Sequence, residues 1–406
     1  MKLVSGGSVK TVIVKPTGAT PREEFAAGEL QKYLRAVSGC EIPIISETEA
    51  AGRPVILIGG PERNKLTSAY ISEADFDARA PGPEGMLIKT FAENALVLAG
   101  SSKNHGEHER GTIYAVYEFL ERFLGCSFAA YGPPGSGLGE YIPSLSEIEI
   151  TADYSKPCAD LSYRTSITQL NGAGREINAT GDHKLMPSFI DWLAKTRYNR
   201  ILMMLDSYEV IKGNGMLDEL IKRGISITAG HHDSSMFFLP TKGSKHFPVK
   251  YGESHPEYYR LQEDGTRYLT EDRWAGQFIF DTRNPDGIAE VARNINGWLD
   301  ENPYVDKVAL WPNDGVGPVC ACEACRSHSL TTNYAFFVNE VAKKVGAKHP
   351  GVKIDLIVYV TMWDPPAGVE LCPHVFVQES TAGLLTVCLK RRTKRRKSVA
   401  CAIMFA

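Results

Sequence analysis

From Leu161 to Gln378 the chain keeps one rhythm: short, continuously apolar runs alternate with amphipathic helical stretches. "LSYRTSI" (161–167), "RILMML" (200–205), "ISITAG" (225–230), "VALW" (308–311), "IDLIVYV" (354–360) and "VFVQ" (375–378) read as strands. Between them, Phe189, Trp192 and Leu193 recur at helical spacing, as do Met216, Leu217, Leu220 and Ile221, and Ile288, Val291, Ile295 and Trp298. A strand without polar alternation is buried on both faces, which in an α/β chain means a parallel sheet under helices. The expected fold is therefore α/β, with a (β/α) TIM-type barrel. Such a barrel closes at eight strands, and six are legible, so it reads as truncated. After Gly383 the alternation ends. Residues 384–406 read as an aberrant basic tail, with "KRRTKRRK" (390–397) carrying seven positive charges.

The first 152 residues are patterned differently, as an α+β domain. "VKTVIVK" (9–15) and "VILIGG" (55–60) read as strands, and "GMLIKTFAENALVLAGSS" (85–102) as a hairpin folded around Glu93-Asn94. Thr20-Pro21-Arg22-Glu23 supplies an N-cap, a proline in the first turn and a capping-box glutamate; Gly39 ends that helix. "RGTIYAVYEFLERFLGCSF" (110–128) is a second helix, closed by Gly125. A linker near Asp153–Pro157 leads into the barrel, expected over 158–383.

Charge narrows the choice of partner. Setting the seven tail cations aside, the net charge of −3 becomes −10, and a mildly acidic body does not suit phosphate binding. The tail alone reads as a solvated basic end or a polyanion-binding patch. No apolar run reaches the roughly 20 residues of a membrane helix, and MKLVSGGSVK has no signal-peptide core. Nine cysteines, mostly isolated, suit reduced thiols.

The working residues of a barrel stand where strands meet the following loops. That rule selects Arg164, Asp206, His231, His232, Asn313, Asp314, Trp363, Asp364 and Glu379. Asp314-Gly315 is also an ordinary turn pair. Trp311 suits either stacking or core. The aromatic, polar insertion from about Asp233 to Asn284 is long enough to suggest a covering loop. Cys320, Cys322 and Cys325 with His328 offer three thiolates and an imidazole, enough for a structural zinc; the rival reading is a set of thiols bracing the loop.

The stretches 110–128, "HPEYYRLQEDGTRY" (255–268) and "PNDGVGPVCACEAC" (312–325) resemble, in this order, an uncharacterised bacterial glycoside-hydrolase-like family. The architecture also resembles alpha-glucuronidases and beta-hexosaminidases, which pair a small N-terminal α+β domain with a catalytic barrel. The resemblance implies a carbohydrate ligand. Beta-hexosaminidases carry an Asp-Glu pair after the fourth strand, where this chain has Asn313-Asp314. It thus implies Asp314 as general acid, with Glu379 as a second carboxylate, and Arg164, Asp206, His231, His232, Asn313, Trp363 and Asp364 around the sugar. That chemistry requires no cofactor. The alternative is a carbohydrate-binding protein on a degenerate barrel.

Overall fold

The computed structural model describes residues 1–50, 52–100, 109–133, 135–167, 184–271, 279–314, 317–359, 362 and 364–379. The chain divides into two compact units. The first holds Met1–Arg164, Asp182–Asn199 and Asn214–Ile225; the second holds Thr165–Gly181, Arg200–Gly213 and Ser226–Ala406. The 384–406 tail lies outside the described residues.

The first unit is built on a six-stranded mixed sheet. Its strands are β1 (Val12–Lys15), β2 (Ile44–Ser46), β3 (Val55–Ile58), β4 (Met86–Phe91), β5 (Ala95–Gly100) and β6 (Asp153–Lys156), in the order β6-β4-β5-β3-β1-β2. β4 and β5 form the expected hairpin, with Phe91 opposite Ala95. The helix Pro21–Ser38 starts as its sequence dictates: Thr20 Oγ1 accepts from the Glu23 amide and the Glu23 carboxylate accepts from the Thr20 amide. Gly39, at φ 73°, closes it. The helix Gly111–Leu124 packs its first turn directly on the end of β5. A Cβ on Gly100 would lie 2.3 Å from the Thr112 nitrogen, so only glycine allows that approach.

Two later helices, Met186–Lys195 and Met216–Lys222, complete this unit. They bring a buried charge network. Lys195 reaches both Glu140 and Asp191, and Arg223 pairs with Asp191 at 3.1 Å and with Glu219. Lys195 and Arg223 are almost fully buried, so each needs these carboxylates to avoid an unpaired interior charge.

The second unit is a curled, half-barrel sheet of six parallel strands in sequence order: β7 (Thr165–Ile167), β8 (Arg200–Met203), β9 (Ser226–Ala229), β10 (Val305–Ala309), β11 (Lys353–Val358) and β12 (Val375–Glu379). Parallel strands that follow one another in sequence and lie side by side each need a crossover connection between them. One lateral face carries Ile167, Leu202, Ala309, Trp311 and Ile357 packed together. The same face holds charge nearer the strand starts. Arg200 forks onto Asp306 at 2.7 and 2.8 Å, and the Lys307 ammonium lies 3.8 Å from the Phe376 ring centroid.

The fourth strand differs from the sequence reading. It runs Val305–Ala309 rather than 308–311. Asp306 and Lys307 hid its start, because their charge is accommodated by Arg200 and by the aromatic face of Phe376. Pro312 lacks the N–H a continuing ladder would need. Trp311 to Asp314 therefore stand beyond the strand, at its C-terminal end.

Candidate functional site

Gly230 begins the site. It follows β9 at φ 104°, its amide donating to the Met203 carbonyl at 2.8 Å. A Cβ there would meet Ser234 Oγ at 2.4 Å and the Ala309 oxygen at 2.6 Å. The turn sends His231 and His232 across the strand ends. Asp233, buried, fixes the turn: Oδ1 accepts from the His231 amide at 3.0 Å and Oδ2 from the Leu205 amide at 2.8 Å. The loops after β8 and β9 are thus held by one carboxylate.

His231 and His232 lie edge to face, with centroids 4.3 Å apart. His231 also packs on Trp311 at 4.5 Å, and His232 lies 5.7 Å from the Tyr359 ring. His232 Nδ1 is 2.6 Å from the Pro312 carbonyl oxygen. That oxygen can only accept, so Nδ1 carries a proton and the neutral ring presents a bare Nε2. Nε2 faces Asp314 Oδ1 at 3.8 Å. Tyr359, one residue past β11, donates its hydroxyl to the same Oδ1 at 2.9 Å. Burial lowers the His232 pKa, opposed by the Pro312 carbonyl and by Asp314. Burial pushes His231 well below the ordinary imidazole range, and the neighbouring His232 adds to it. Burial, then Asp314, raises the Tyr359 phenol.

Asp314 thus has contacts beyond its own turn. It receives a hydroxyl from the loop after β11, faces an imidazole from the loop after β9, and keeps 37% of its side chain accessible. Behind it, Trp311 is 1% exposed and donates its indole N–H to Asp355 Oδ1 at 3.2 Å. Trp311 is core here, not an exposed stacking platform. Asp355 is buried on β11, and desolvation first of all raises its carboxyl to about 6.

The other expected site residues are distributed. Asn313 is buried beside Asp314, with its amide 3.8 Å from the Met236 sulfur. Asp206 is exposed in the first turn of the helix Leu205–Gly213, and Asp364 is exposed in the loop after β11. Glu379 ends β12, its backbone in register with Val358. Trp363 lies outside the described residues.

Arg164 does not join the cluster. It precedes β7, at the N-terminal end of that strand, and belongs to the first unit. There it binds Glu84 at 2.8 Å and the Leu161 and Arg197 carbonyls. A residue entering a strand stands at the opposite end from the loops that follow strands, so its charge is structural.

The thiols do converge. Cys320, Cys322 and Cys325 gather with Asp281, their ligand atoms all within 4.8 Å of one another. His328 is not in the group; it is exposed beyond the short helix Glu323–Arg326. Asp281 and Tyr359 were missed in the sequence, and no local signal marks either. Each meets its partners across some 40 residues of chain.

Residues 139–382 match the family model described as Domain of unknown function (DUF4838), more than half of the chain. The chain belongs to the DUF4838 family. No curated protein matches it. Among solved structures, this DUF4838 chain is similar to a GH138 enzyme targeting pectin rhamnogalacturonan II, at 13% identity and a TM-score of 0.49, over 92% of this chain and 38% of that one. It is also similar to a family 89 glycoside hydrolase from Clostridium perfringens in complex with PUGNAc, at 11% identity and TM-score 0.46, over 88% and 40%. A doubly substituted Clostridium perfringens GH89 with its substrate GlcNAc-alpha-1,4-galactose aligns at 11% and 0.41, over 91% and 42%. The DUF4838 chain spans about two fifths of the length of these structures.

Proposed function

We propose that this chain is a glycoside-hydrolase-like module that binds a glycan at the C-terminal ends of β9–β11, with Asp314 as the proton donor to a glycosidic oxygen. The observation that carries this reading is the setting of Asp314: accessible, beyond a strand end, and flanked by Tyr359 and His232 from neighbouring loops. A glycosidase acid needs that combination of reach toward the ligand and fixed orientation. In this reading the parallel sheet is part of a (β/α) barrel behind an N-terminal accessory domain. His231, His232 and Asn313 line the sugar site, Asp206 and Asp364 stand at the same strand ends, and Glu379 is the second carboxylate.

A second reading, glycan binding without cleavage, has its own support. Among the described residues Asp314 is the accessible carboxylate in the ring-lined cluster, because Asp355 is 1% exposed behind Trp311. Asp314→Asn separates the two. It keeps the shape and the Tyr359 contact but has no proton to give. Hydrolysis predicts a loss of turnover of about 10²–10⁴-fold with glycan binding retained. A protein that binds glycan equally with and without the substitution, and releases no reducing sugar from uronate- or aminosugar-bearing glycans, is a lectin-like module. Weakened binding without any turnover removes the acid role altogether.

A further inference from the structure

The geometry points to a structural zinc site made by Cys320, Cys322, Cys325 and Asp281. It is independent of the glycan reading. Two sulfur–oxygen distances match those of a filled tetrahedron. With Zn–S near 2.3 Å and Zn–O near 2.0 Å, a ligand sulfur and a ligand oxygen on one ion stand about 3.5 Å apart. Asp281 Oδ1 lies 3.5 Å from both Cys322 Sγ and Cys325 Sγ. Four protein ligands complete a tetrahedral shell and leave no position for a reacting water.

A second set of observations concerns the sulfurs. The Leu261 amide donates to Cys320 Sγ at 3.2 Å. Thr282 Oγ1 stands 3.5 Å from Cys325 Sγ. A backbone N–H directed at a ligand sulfur holds that ligand in one orientation. Cys320 is 3% exposed and Cys325 is fully buried, so the cluster is closed to solvent.

The carboxylate is oriented for the role. Arg267 stands 3.5 Å from Asp281 Oδ2, the other oxygen of the carboxylate, and the Arg283 amide donates to Oδ1 at 3.2 Å. Such outer contacts hold a ligating group in one orientation. Zinc and Arg267 together supply three positive charges against four from the ligands, so the closed site stays nearly balanced.

Two sequence stretches meet at this point. Leu261 belongs to "HPEYYRLQEDGTRY", and besides donating to Cys320 it accepts from the Ala321 amide at 2.8 Å. The ion would tie the loop after Asp314 to the segment entering the helix Pro285–Asp300. Only five residues separate Asp314 from Cys320.

The test is the metal content of the full chain purified without chelator, read by plasma mass spectrometry. One zinc per chain is expected. Cys322→Ser and Asp281→Asn should each lower retention at least 10-fold under a competing chelator, and His328→Ala should leave it unchanged. Cobalt exchanged into the unmodified chain gives a readout that does not depend on variants folding: strong visible bands of a tetrahedral ion with thiolate-to-cobalt charge transfer. A chain without bound zinc that also yields no thiolate–cobalt spectrum overturns the site, as does a disulfide between any two of the three cysteines in the freshly purified protein. Loss of metal in His328→Ala overturns the assignment of Asp281.

Discussion

His231 shows how one side chain can set the acid tolerance of a site. Its ring is packed between His232 and Trp311, and its Nδ1 is buried without a hydrogen-bond partner among the described residues. Burial disfavours the charged ring, so the folded chain holds this imidazole neutral well below 6.5, where the unfolded chain begins to protonate. Between those two values the unfolded state binds more protons, and stability therefore rises with pH. The contribution is fully present above about 6.5 and is lost as the pH falls toward the folded-state value. His231→Gln removes this titration. The thermal midpoint of the unmodified chain should fall more steeply below pH about 6.5 than that of the variant, by about 2–4 °C for each kcal/mol lost. Parallel melting curves down to pH about 5 would remove the assignment.

At the scale of elements, the site depends on how β9 ends. Gly230 adopts a left-handed backbone with the Ala309 carbonyl and Ser234 hydroxyl against its α-carbon. Gly230→Ala should cost at least about 1–3 kcal/mol in backbone strain, with steric overlap added to it. The urea midpoint would drop accordingly, and a midpoint within error of the parent would mean the loop yields easily. Much of this layer was legible in the sequence. Thr20, Gly39 and Gly125 mark helix ends because capping chemistry is local. The parallel sheet was legible because two-sided burial leaves continuous apolar runs. The start of β10 was not, since Asp306 and Lys307 are neutralised or covered only after folding. Nor was the Asp314–Tyr359 bond, which joins loops after two neighbouring strands and has no spacing rule. Asp281, not His328, gathers with the thiols for the same reason: sequence proximity favoured the imidazole, whereas the fold delivers the carboxylate.

At the scale of the molecule, the first unit is not one continuous stretch. Lys195 lies over the rings of Tyr33 and Phe128, and Arg223 over Phe25, so the late helices cover aromatic and charged groups of the early chain. A fragment ending at residue 164 would leave Glu140 without Lys195, and Glu118 and Glu121 without Arg197. It should show no cooperative thermal transition when followed by circular dichroism. A sharp transition with native-like ellipticity would show that the early strands and helices suffice by themselves.

The backbone passes from one unit to the other after residues 164, 181, 199, 213 and 225. A protease that nicks this stretch once, after Lys184 for instance, would leave parts of the first unit on both products. The helix Met186–Lys195 would sit on the C-terminal piece while the Tyr33 and Phe128 rings it serves stayed on the N-terminal one. The two halves should therefore elute as a single species under native conditions and come apart only in denaturant.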